Sequence, residues 1–158
     1  MFWIVVFGLS VGGAVAHLLV SGGVTVERAG HVGLLWLGVV FYGAATLLSG
    51  LQHLLVPDRI ADSIGWARGS GFQIELGWAE AGVGVAGLLS LWFGAPYVIG
   101  PCLAGAIFYL GAAIGHARDI AKGNRRPGTA GPVLYIDILA PAVTIVAILM
   151  AYPWRTGA

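Results

Sequence analysis

The sequence predicts an all-α integral membrane protein: a bundle of five transmembrane helices with a short interfacial helix between the second and third. Three observations predict it. Hydrophobic residues make up 58% of the 158 residues and charged residues only 9%, whereas a soluble domain carries about 25% charged residues to keep its surface wet. Mean hydropathy is +0.89. The chain also divides, at its charged and Pro/Gly punctuation, into five stretches of roughly the 20 apolar residues that a membrane helix needs. The length suits a single domain, 1–158. A net charge of +1 offers no basic field for nucleic acid. One cysteine, Cys102, excludes an internal disulfide and any multi-cysteine metal site.

The first stretch, Phe2–Ser21, contains Ala14-Val15-Ala16, which imitates a signal-peptide cleavage site. No basic residue precedes its apolar run, so it reads as a span that is kept. Ser10, Gly13, His17 and Ser21 share one of its faces. The second stretch, His31–Leu55, places His31, Tyr42, Thr46, Ser49 and His53 in one narrow sector at 100° per residue. That stripe is either polar glue between helices or, with a histidine at each end, a hydrated path. Pro57 to Trp66 then reads as the interfacial helix, with Ile60 and Ile64 one turn apart and Trp66 as an interfacial ring.

The third stretch, Phe72–Phe93, has two opposed faces. Ile74, Trp78, Val85, Leu89 and Trp92 are bulky and suited to lipid; Gln73, Gly77, Glu80, Gly84 and Gly87 are small or polar. Glu80 is therefore expected to face the bundle, with Glu75 nearer the boundary. The fourth stretch, Val98–Ala117, ends at His116, and the fifth, Pro132–Tyr152, carries Asp137 one turn before Pro141. Proline supplies no N–H to the carbonyl four residues back, which leaves the Asp137 oxygen free. Glycine pairs Gly8/Gly12 and Gly111/Gly115 match a small-xxx-small pattern and are expected to pack within the protomer.

Lys and Arg orient the bundle. Arg59, Arg68, Arg118, Lys122, Arg125 and Arg126 lie in the loops on the side of the N-terminus, against Arg28 and Arg155 on the other. The N-terminus is thus expected in the cytoplasm and the C-terminus outside. Lys122, Arg125 and Arg126 are expected to meet anionic lipid headgroups.

With that orientation His53, Glu75, Glu80, His116 and Asp137 fall at one depth in the cytoplasmic half. Ionisable groups at membrane depth face protein or water and mark function by default. The cluster could relay protons, or act as acid and base on a lipid or isoprenoid-like substrate, with Glu80 and His116 as opposed partners. A purely structural network, Asp137 with Arg118 or His116, accounts for the same residues. No Glu-x-x-His pair is present, so no metal and no other cofactor is expected. The leading reading is a transport-related protein, or the membrane subunit of a larger complex, handling protons or a small ion. The membrane-embedded enzyme is the alternative. Its expected partners are the lipid bilayer and other subunits or further copies of the chain.

Three segments carry a resemblance: Glu75-Leu76-Gly77-Trp78-Ala79-Glu80-Ala81-Gly82, Gly115-His116-Ala117-Arg118-Asp119, and Gly123-Asn124-Arg125-Arg126-Pro127-Gly128 with Gly131-Pro132-Val133-Leu134-Tyr135-Ile136-Asp137. From about Ser49 to Met150 the chain resembles small bacterial polytopic membrane proteins grouped as a domain of unknown function. The resemblance implies a bacterial cytoplasmic membrane and transfers no catalytic residue.

Overall fold

Five helices long and apolar enough to cross a bilayer build the computed structural model, which describes residues 2–152. Arg155, counted above for orientation, lies outside the described residues. Among the described residues there is no strand. The helices are α1 (Phe2–Ser21), α2 (Val26–Leu55), α3 (Pro57–Ile64), α4 (Gly71–Phe93), α5 (Ile99–Ala121), α6 (Pro127–Ala130) and α7 (Pro132–Ala151).

Two spans are longer than the sequence predicts, and polar caps explain the first. α2 begins at Val26 rather than His31 because Thr25 Oγ1 accepts from the backbone N–H of Arg28 at 3.2 Å, satisfying one of the helix's open donors. The Arg28 side chain folds back onto the carbonyl of Gly22 at 2.5 Å. α5 runs past His116 to Ala121, carrying Arg118 and Asp119 on its last turns. Interfacial α3 starts with Pro57 and stops at Gly65, whose φ of 80° suits a residue without a Cβ.

Within α2, Leu37–Ala45 is π-helical, with i→i+5 hydrogen bonds and more residues per turn than an α-helix. The wider turn resets the phase between His31 and Tyr42. The five-residue stripe therefore splits. Tyr42, Thr46, Ser49 and His53 are buried, while His31 is half-buried at the far end, 3.9 Å from Glu27 and packed edge-on against the Tyr152 ring.

Glycines set the central packing. α2 and α4 approach so closely that a Cβ on Gly50 would meet the Gly77 oxygen and Ala81 nitrogen, and one on Gly87 would meet the backbone of Gly38 and Gly43. Gly105 of α5 makes room for the Tyr42 ring. Leu34, Leu37, Phe41, Tyr42, Val98, Cys102 and Tyr109 fill the middle of the core. The bulky stripe of α4 points outward, with Trp78 and Trp92 67% and 75% exposed. The Gly8/Gly12 and Gly111/Gly115 pairs correct the expectation of close packing, because no atom lies within 4 Å of a Cβ built on any of the four. α1 instead meets α2 where Gly13 accepts the Trp36 ring and His17 Nδ1 accepts from Trp36 Nε1 at 3.3 Å.

Candidate functional site

The α3 end of the bundle contains a cavity of about 680 Å³, within the range of small-molecule sites. Its walls come from α1 to α7. Trp3, Leu76, Phe108, Ala112 and Val133 make them largely apolar, and Ser49, His53, Glu80, Tyr109, His116 and Asp137 bring polar groups to them. Phe72 and Ile107 are 53% and 69% exposed, so the rim is open between α4 and α5.

On one wall, the α2–α4 glycine contact turns Glu80 toward α2. Its Oε2 lies 3.9 Å from Nε2 of His53. Nδ1 of His53 hydrogen-bonds Oε1 of Gln73. Nε2 is the ring nitrogen that faces Glu80. On the other wall, His116 of α5 meets Asp137 of α7, Nε2 to Oδ2 at 3.5 Å. Glu80 is 5% and Asp137 1% exposed, yet Glu80 Oε2, Asp137 Oδ2 and Gln73 Nε2 have no hydrogen-bond partner. Each imidazole–carboxylate pair is thus close but open: its carboxylate oxygen has room for another donor.

The sequence reading set Glu80 opposite His116 and left Asp137 with Arg118 or His116; the structure places one histidine beside each carboxylate. Glu80 partners His53, not His116, because the α2–α4 contact turns it to α2, while His116 faces α7. Asp137 takes His116 and not Arg118, which is exposed. Glu75 is also exposed and stands outside the cavity. Five residues before Glu80, it sits roughly 140° around the helix from it. His53, Glu80, His116 and Asp137 come together in one cavity; Glu75 does not join them, nor does His31.

Above Ser49 the α2 stripe is closed by hydrogen bonds. Thr144 Oγ1 donates to the Ala140 carbonyl, so Tyr42 OH donates to Thr144 at 2.9 Å. Thr46 Oγ1 donates to the Phe41 carbonyl, so Tyr109 OH donates to Thr46 at 2.9 Å. Tyr42 and Thr46 are wholly buried and do not line this cavity. These hydroxyls pair between helices, α2 with α7 and α2 with α5. Tyr109→Phe should lower stability by about 1 kcal/mol, the net worth of one such bond, as chemical or thermal unfolding in detergent would measure.

A cap that the sequence reading missed covers part of the mouth. Asn124 Nδ2 and Thr129 Oγ1 both donate to the Ile64 carbonyl at 2.8 Å, tying the α5–α7 connection to the end of α3. The signal for α6 was present in Pro127, a proline suited to a first helical position. Trp66 Nε1 reaches Asp119 Oδ2 at 3.4 Å. Arg68 pairs with Asp62 through Nε and Oδ1 at 2.8 Å and holds that exposed carboxyl below its usual pKa. Lys122, Arg125 and Arg126 are exposed on the same connection. Among the described residues no three His, Cys, Asp or Glu side chains are grouped to hold a metal ion.

An all-helical chain with five membrane-length helices and a half-open cavity of paired imidazoles and carboxylates is the class that fold and geometry define. It belongs to a family of unknown function, DUF6790, whose model matches residues 1–156. No curated protein and no solved structure matches it.

Proposed function

We propose that the chain is a multi-pass membrane protein whose cavity holds one amphiphile and acts on its polar end through the two imidazole–carboxylate pairs. One observation carries the reading: His53, Glu80, His116 and Asp137, from four helices, face a single cavity whose other walls are largely apolar. An apolar tail is accommodated by burial, and two buried acid–base pairs can take and return protons at the head. The opening between α4 and α5 admits a molecule sideways from lipid.

The transport-related reading draws on the same four groups, as would a role as a subunit of a larger complex. The α2 stripe supports it only as far as Ser49. Proton or solute flux through proteoliposomes carrying the protein would restore it. The Lys/Arg bias supports a cavity in the cytoplasmic half of the membrane, and the resemblance supports a bacterial inner membrane. Single cysteines at Arg28, Arg68 and Lys122 in a Cys102→Ala background test this, and labelling of position 28 from the cytoplasmic side overturns it.

Native mass spectrometry of the purified protein tests the main reading: one defined amphiphile should be retained. Gly111 lines the cavity with open space around it, so Gly111→Phe should fold, fill the volume and release that molecule. Equal retention by Gly111→Phe, or retention of bulk phospholipid alone, sinks the proposal.

A further inference from the structure

The polar lining of the cavity specifies the head it can take. Its ionisable groups are two histidines, two carboxylates and the Tyr109 phenol, and among the described residues no Lys or Arg lines it. An anionic head would enter beside Glu80 and Asp137 with no fixed cation to meet it, and burying such a charge unpaired is costly. The unpartnered atoms point the other way. Glu80 Oε2 and Asp137 Oδ2, both on side chains more than nine-tenths buried, are acceptors without a donor. Each already faces an imidazole at 3.9 or 3.5 Å, too far or too poorly aligned for a hydrogen bond.

We infer that the cavity takes an amphiphile whose polar end donates hydrogen bonds and carries no negative charge, a long-chain alcohol or amine, and that it rejects carboxylate and phosphate heads. The inference rests on the amphiphile reading above and adds the chemistry of the head. A hydroxyl or ammonium hydrogen satisfies the open carboxylate oxygen, and an ammonium also supplies the missing positive charge. The basic residues of the α5–α7 connection do not alter this. Lys122, Arg125 and Arg126 are exposed and outside the cavity lining.

The test uses the full chain in phosphatidylcholine nanodiscs at neutral pH, titrated separately with tetradecan-1-ol, tetradecylamine and tetradecanoate. Bound ligand is counted by native mass spectrometry. The alcohol and the amine should each bind about tenfold or more tightly than tetradecanoate, a difference of about 1.4 kcal/mol. In the doubly substituted Glu80→Gln/Asp137→Asn protein, the amine should lose its advantage over tetradecanoate, while Glu75→Gln should keep it. Should the double variant not fold, the wild-type series decides alone. Tetradecanoate binding as tightly as the donor heads overturns the head assignment and leaves the amphiphile reading standing. So does an amine preference that survives in the double variant. Binding of none of the three overturns both.

Discussion

Asp137→Ala should lower unfolding stability in detergent by about 1–3 kcal/mol, the range for leaving a buried polar neighbour without its partner. Asp137 is 1% exposed and stands 3.5 Å from His116. Alanine would leave that imidazole facing an empty space at the base of the cavity. Glu75→Ala should stay within about 0.5 kcal/mol of wild type, as surface changes do, because Glu75 is exposed. Glu80→Gln should also be tolerated, since an amide keeps the carboxylate's shape and its capacity to hydrogen-bond, but it should abolish any activity that needs a proton at that position. Thermal unfolding of the three variants side by side decides the matter. A Glu75→Ala protein less stable than Asp137→Ala would show that the buried site has been placed wrongly.

Gly50→Leu should destabilise the bundle by about 3 kcal/mol, the upper part of the usual range for overpacking. The new Cβ would meet the Gly77 oxygen and Ala81 nitrogen, which are backbone atoms and cannot turn aside as a side chain can. Relief requires α2 and α4 to separate. Separation would also draw His53 away from Glu80, so the variant should lose ligand along with stability. Gly82→Leu is the matched control on α4, with nothing within 4 Å of its Cβ. It should fold and bind as wild type does. If Gly50→Leu proves as stable as Gly82→Leu, the helices are not held by that contact.

The spans were legible because hydrocarbon thickness dictates their length and leaves little freedom in composition. The faces of α4 were legible for a related reason: Trp78 and Trp92 fit lipid, whereas Gly77, Gly84 and Gly87 are useful only where another backbone comes close. Glu80 therefore turned inward as its neighbours required. Pairing was harder to read. Whether His53 or His116 meets Glu80 depends on which helices are adjacent, and the long-range α2–α4 contact decides that. Glu75 illustrates a limit of depth as a criterion, since two acids on the same helix at similar depth face different surroundings. The misassigned glycine pairs make the same point: spacing says that two glycines share a face, but not what that face touches.

The π-helical stretch of α2 has one more consequence. Because Leu37–Ala45 already holds more residues per turn than its length requires, it is where the chain can best absorb a length change. Removing one residue there would let the segment relax into an ordinary α-helix without breaking α2. Everything beyond it would keep nearly its present angular setting, because the residue lost is the one the wider turns had taken up. His31 and the Glu27 beside it would keep their surroundings, and Ser49 and His53 would go on facing the cavity. A one-residue deletion elsewhere in α2 has no such slack to draw on. The stretch works as a phase adjuster, joining two halves of one helix whose separate tasks, anchoring at one end and lining the cavity at the other, need different angular settings.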